Sequence, residues 1–273
     1  MDSVGDHKKI APGPNLYSNL KARNQSLFAV SIVFILSAVV RIVFFSGFFG
    51  SDDFTYYSAA YGIVEKKMEV GNYIGGIRYG VNLPMAFFIG IFGSSEFIGN
   101  LWSLITSSLE VALVYYMARS WWGERAGISA ALLLMLMPIH VHYGGRIMAD
   151  APLALFISLS FCLFWFAKEK RKSILYFLSG CVLGWVFWIK ATVAVLVHLA
   201  FIPNLLMLIK QEGMKKVWIV AVGSMLVVGL NFLFFWVFKG DPFHLIKSIH
   251  AATSKYSHVS FESHPLYYAE YLF

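Results

Sequence analysis

Charge is scarce in this chain: only 14% of its 273 residues are Asp, Glu, Lys or Arg, where a soluble domain carries about 25%. With 58% hydrophobic and 17% aromatic residues, a water-soluble fold would have no means of covering its own apolar surface. Cysteine is nearly missing as well. Cys162 and Cys181 both fall inside apolar runs, which excludes a disulfide framework and a cysteine metal motif and leaves them as small core residues. Low-complexity stretches are lacking, and so is an internal repeat, which weighs against transporters assembled from two related halves. Acidic residues are the minority charge, 15 against 22 basic ones, for a net charge of +7. In a soluble protein that balance would suggest nucleic acid. Here the basic residues cluster between apolar runs, so they point to lipid headgroups and membrane topology, and no nucleic-acid partner is expected.

What the sequence does have is long apolar runs. Residues 27–49 would reach about 35 Å as a helix, enough to cross a hydrocarbon core of about 30 Å. The run is too long for a signal-peptide core and has no clear cleavage site, so it reads as a retained anchor. Further spans are expected over 97–118, 126–141, 151–167, 174–189, 191–209 and 217–238. The segment 81–92, apolar but about 18 Å long as a helix, is too short to cross and is expected to lie along the interface. Lysine and arginine support that choice: with 81–92 outside the membrane core, 13 of them fall on the cytoplasmic side and 8 on the other, whereas counting it as a span gives 9 and 12.

The expected fold is therefore all-α and integral to the membrane, with about seven transmembrane helices and an external interfacial helix loop between the first two. Its parts are a cytoplasmic tail over 1–26, a membrane module over 27–238 whose external loop is 50–96, and an external interfacial tail over 239–273. Trp121, Trp122, Tyr267 and Tyr268 fit an aromatic belt near helix ends.

That topology delivers three carboxylates to one face. Asp52 and Asp53 stand side by side in SDDFTYY, ahead of a helix expected over 54–64, where either could cap the helix. Asp150 precedes Ala151-Pro152, a good helix start. Arg146, four residues earlier, is spaced to pair with it. Lys190, between two apolar runs, can snorkel to the surface. Carboxylates and cations at one interface suit proton transfer on an anionic, lipid-linked substrate. Arg41 and Glu110 lie within spans and each requires a partner. His140 and His142 read as structural.

In their order these residues resemble the GT-C superfamily of polyprenyl-phosphate-sugar-dependent glycosyltransferases, in the protein O-mannosyltransferase and aminoarabinose transferase branch. Arg41 closes the first span. The acidic pair with Tyr56 opens the first external loop, and a proline-containing segment ends in FGSSEF (Pro84, Phe92, Gly93, Glu96). A span then ends in VYYMARSWWG, Pro138 through Arg146 to Asp150 and Pro152 resembles the second external loop, and GCVLGWVFWIK ends at Lys190. The likeness covers most of residues 30–210. The chain departs from it where the family often has arginine, at Asn100, and Lys-Pro-Pro, at Asn82-Leu83-Pro84, so that Arg78, Arg146 or Lys190 would take over phosphate contacts. The WWDYG signature of oligosaccharyltransferases is missing.

The resemblance implies transfer of a sugar from a polyprenyl-phosphate carrier to an acceptor hydroxyl, on a protein or glycolipid, at the extracytoplasmic face of the bilayer. Asp52 is then the expected base, with Asp53 and Asp150 completing the catalytic set and Tyr56, Arg78, Arg146 and Lys190 binding substrate. Asp53 and Asp150 are also the expected ligands if a divalent ion, Mg, Mn or Zn, takes part; no other cofactor is implied. Family members continue beyond seven spans, so a C-terminally truncated, inactive module stands as an alternative, beside a transporter or flippase of an amphiphile.

Overall fold

The computed structural model describes residues 16–68 and 70–256, and side chains for 27–50, 52–68 and 70–254. The expected tail over 1–26 lies mostly outside the described residues, as does the end of the chain with Tyr267 and Tyr268. The described residues are helical almost throughout and contain no strand. In order they form α1 (Leu16–Val43), α2 (Ser51–Val64), a 3-10 turn (Gly75–Ile77), α3 (Tyr79–Phe92), α4 (Glu96–Trp122), α5 (Glu124–Leu136), α6 (Pro138–Gly144), α7 (Asp150–Lys170), α8 (Ser173–Glu212), α9 (Met214–Lys239) and α10 (His244–Tyr256). The all-α membrane class holds. Four helices, α4, α7, α8 and α9, are long and apolar enough to cross a bilayer, and α5 with α6 makes a fifth bent by 65°. Outward-facing Val43, Leu133, Leu196 and Val237 are each at least 66% exposed, a belt that suits lipid and not water.

Two boundaries differ from the sequence reading, each for a local reason. The first span, expected to run to residue 49, stops as a helix at Val43. Beyond it Gly47 adopts φ +72 close beneath the Glu96 carboxylate, and Asp53 draws the next backbone N–H groups toward α2. The span over 126–141 breaks at Met137, whose extended backbone is what a residue before proline prefers. The runs 174–189 and 191–209, expected as two spans, are the two arms of α8, which meet at Lys190, where the backbone leaves helical geometry at φ −156 and ψ 86.

At Lys190 the chain doubles back. A straight helix would set Tyr176 and Glu212 about 54 Å apart, yet the Tyr176 hydroxyl donates to Glu212 at 2.8 Å. α9 lies against both arms. A Cβ on Gly180 would stand 2.1 Å from the Val220 carbonyl oxygen, and one on Gly184 2.6 Å from that of Ser224, so the Gly-x-x-x-Gly of GCVLGWV is what lets these backbones approach. On the second arm His198 Nε2 meets Ser224 Oγ at 2.8 Å.

The short helix α3, 14 residues and about 21 Å long, packs among α2, α4 and α8. It buries Val81, Met85 and Ile89, and Gly80 sits directly against the backbone of Trp188 and Ile189. The bundle thus has two distinct ends. The segment after α1, the α6–α7 connection, Lys190 and the start of α10 meet at one of them. Arg119 with Glu124, Tyr176 with Glu212, and Lys216 with Ser173 meet at the other.

Candidate active site

Asp52 and Asp53 share the first turn of α2 but not an environment. Asp53 is fully buried, and one carboxylate oxygen accepts from the backbone N–H of Phe49 at 2.6 Å and of Gly50 at 3.2 Å. The same oxygen accepts from the Arg146 guanidinium at 3.3 Å. That is a helix N-terminus held by a carboxylate, the arrangement that satisfies otherwise free N–H groups and favours the dipole. Arg146 is fixed in turn: it lies over the Phe49 ring, 4.5 Å from the centroid, and donates to His142 Nε2 at 3.2 Å. The pairing of Arg146 with Asp150 suggested by their spacing is not formed, because the loop turns Arg146 back toward α2.

Asp52, half-buried, looks into a cavity of about 380 Å³ that it lines with Tyr56, Asn72, Tyr73, Arg78 and Ser248. Its Oδ1 accepts from the Tyr73 hydroxyl at 2.9 Å. Asp53 does not line this cavity. At its base, Arg78 donates to the Tyr56 hydroxyl and lies over the Tyr56 ring. Burial pushes the Tyr56 phenol up to about 12; the Arg78 charge opposes the shift, and the negative charges of Asp52 and Asp150 add to it. One phenol thus feels three of the expected site residues at once.

Asp150 is not a side-chain cap: Ala149 holds the cap position of α7, and the Asp150 carboxylate accepts from Lys190 Nζ at 3.2 Å, both groups about a third exposed. Lys190 reaches it because the reversal of α8 puts the lysine beside the start of α7.

The two departures from the family pattern have structural work. Asn82 is fully buried and donates to the carbonyls of Gly75 and Gly76, shaping the turn that aims Arg78. Asn100, also fully buried, donates to the Gly144 carbonyl at 3.2 Å.

Arg41 and Glu110 prove to be joined through His140. Arg41 can only donate, so His140 Nδ1 accepts from it, and Nε2–H is left to donate to Glu110 at 3.0 Å. Arg41, fully buried, also reaches Ser107 Oγ and the carbonyls of Ser37 and Met135. Helices α1 and α4 and the α5–α6 pair are cross-linked this way.

Metal binding fits poorly here. Asp53 and Asp150 are each paired with a cation, and among the described residues no three His, Cys, Asp or Glu side chains stand together as ligands. No step below passes through a metal ion.

Tyr73 and Ser248 were not singled out by the sequence. The Gly75-Gly76 pair just after Tyr73 is a turn signal that could have pointed there; for Ser248 there was no signal, since only the fold brings it across from Asp52.

Comparison with known proteins gives one match, to the model of the dolichyl-phosphate-mannose-protein mannosyltransferase family over residues 80–237. No curated protein and no solved structure matches. The matched stretch runs from α3 through nearly all of α9 and includes Arg146, Asp150 and Lys190, with Asp52, Asp53, Tyr56 and Arg78 lying before it. Covering more than half of a chain with several membrane-spanning helices and a carboxylate-and-cation cluster at one end, it shows that the chain belongs to the dolichyl-phosphate-mannose-protein mannosyltransferase family, membrane glycosyltransferases that use a dolichyl-phosphate sugar.

Proposed function

We propose that this chain moves a sugar from a polyprenyl-phosphate carrier to an acceptor hydroxyl on a protein, at the extracytoplasmic face, with Asp52 as general base. The observation that carries the reading is the split between the two acids. Asp53 is sealed and committed, while Asp52 lines an open cavity and already accepts a hydroxyl proton donor, that of Tyr73, at 2.9 Å. That distance is what a base needs to take a proton from an attacking hydroxyl.

In this scheme the acceptor oxygen donates to Asp52, gives up its proton as it attacks the anomeric carbon, and the phosphate leaves on the opposite side with inversion. Arg78 and Lys190 supply the positive charge that stabilises the leaving phosphate. Asp53 acts through Arg146 and the start of α2, as a positioning residue that fixes where Asp52 points. Asp150 orients Lys190. In this reading both arms of α8 and helix α1 are spans, seven in all, and the Lys/Arg distribution favours a cytoplasmic N-terminus.

The transport reading would need Arg41 and Glu110 to face a pathway. Their engagement with each other through His140 favours the transferase instead.

The test is a transfer assay with radiolabelled polyprenyl-phosphate sugars and hydroxyl-bearing acceptors, using the protein in vesicles. Asp52→Asn should lower the rate by about 10²–10⁴-fold, because asparagine keeps the shape but cannot take a proton. Full activity in that variant would remove the base assignment. Cysteines placed at Ser94 and Ser173 should react from opposite sides of the vesicle; labelling from one side would overturn the topology.

A further inference from the structure

Helix α10 lies beyond the stretch matched by the family model and ends the described chain, yet it forms part of the cavity that holds Asp52. Ser248, Ala251 and Ala252 line that cavity opposite Asp52, Tyr56 and Arg78. Spaced three and four apart, they share one helix face. One turn before Ser248, Leu245 is buried among Val70, Ile77 and Tyr79 and seats the start of the helix. The part that fronts the cavity carries only small side chains, Ser248, Ala251 and Ala252.

The placement is anchored. Lys239 Nζ donates to the Val70 carbonyl at 2.7 Å, and His244 Nε2 meets the Gly71 carbonyl at 2.9 Å. Both bonds grip the segment that carries Asn72 and Tyr73, so α10 and the Tyr73 loop are two walls joined at one corner. Ser248, only 7% exposed, brings a hydroxyl to the wall. A space of about 380 Å³ is at the small end for a ligand site, of order 300–1,000 Å³, and suits one side chain with its flanking backbone better than a whole glycolipid.

We propose that α10 is the acceptor-side wall of the Asp52 cavity, and that Ala251 and Ala252 set the bulk tolerated beside a hydroxyl borne on a polypeptide. The word acceptor rests on the transferase reading; the wall itself rests on the cavity.

Two measurements decide it. In the first, Ala251→Cys is labelled with a maleimide in intact vesicles, with and without a short synthetic peptide containing serine and threonine. The peptide should slow labelling several-fold, and should do so equally when Asp52→Asn is also present. Unchanged labelling overturns the wall. In the second, transfer to a serine flanked by glycine is compared with transfer to a serine flanked by leucine. Ala251→Leu should shift the ratio of kcat/KM toward the glycine peptide by about 10-fold, and Ala251→Gly should shift it the other way, which keeps the test open should the leucine variant fold poorly. An equal change for both peptides rejects the size role. Protection by peptide in a protein that transfers nothing would sink the transferase reading and keep the wall, whereas transfer without protection would do the reverse.

Discussion

The protein holds two clusters of ionisable groups that look alike as lists of residues and differ in how their bonds are satisfied. In the middle of the bundle, Arg41, His140 and Glu110 form a chain in which each partner engages the next, sealed from three sides by α1, α4 and the α5–α6 break. At the Lys190 end, Asp52 and Arg78 line an open cavity beside the Asp150–Lys190 pair, and the two acids are held by partly exposed partners, Asp52 by the Tyr73 hydroxyl and Asp150 by Lys190. A closed network in a low-dielectric interior has nothing left to offer a substrate and much to lose if one member goes. An open one has unspent hydrogen-bonding capacity directed at a space. Asp53, although it adjoins Asp52 in sequence, is buried away from that cavity and held through one oxygen by Phe49, Gly50 and Arg146.

Several substitutions sharpen this contrast. Asp53→Ala strands Arg146 and frees the start of α2; a broken buried pair costs about 3–5 kcal/mol, read as a large fall in the unfolding temperature of the purified protein. Asp53→Asn, which still accepts from Phe49 and Gly50, should lose less. His140→Ala removes the link between Arg41 and Glu110, which keep only Ser37, Ser107, Met135 and Ser158 as partners, and should cost about 1–3 kcal/mol by the same measurement; a neutral outcome would mean that the mid-bundle chain is not holding the helices together. Asp150→Asn, at a partly exposed pair, should cost under about 1 kcal/mol yet raise the KM for the lipid-linked donor.

The smallest effect is a pH dependence. The Tyr56 phenol is held protonated up to about 12, above its ordinary value of 10.0. Its contribution is fully present below the unfolded value and is lost as pH rises through the folded one, so stability should decline across that alkaline window. Comparison of melting curves with Tyr56→Phe, which lacks the titrating group, isolates this part; identical curves would remove it.

Much of the fold could be read from the sequence because apolar runs in a membrane protein map directly onto helices. The reversal at Lys190 was visible as a charge between two runs, and the half-length of the segment before Glu96 was visible from counting. The α5–α6 break was under-read, even though Pro138 stood in the middle of the expected span and the residue before a proline avoids helix. Of the site, the residue types and their common end could be inferred from topology. Their pairing could not. Arg146 reaches back about ninety positions to Asp53 instead of to its i+4 neighbour Asp150, and Lys190 takes that place only because α8 folds on itself. Helix α10 escaped notice because nothing in HLIKSIHAATSKY says which cavity it will front.

The claim that separates the two clusters is tested most directly by measuring transfer rate and thermal unfolding together for Asp52→Asn and His140→Ala in the same vesicle preparation. The account predicts that Asp52→Asn loses transfer by at least about 10²-fold and melts like the unaltered protein, while His140→Ala melts earlier and retains most of its rate per folded molecule. A stable His140→Ala protein with abolished transfer, beside an active Asp52→Asn protein, would contradict it and move the chemistry into the middle of the bundle.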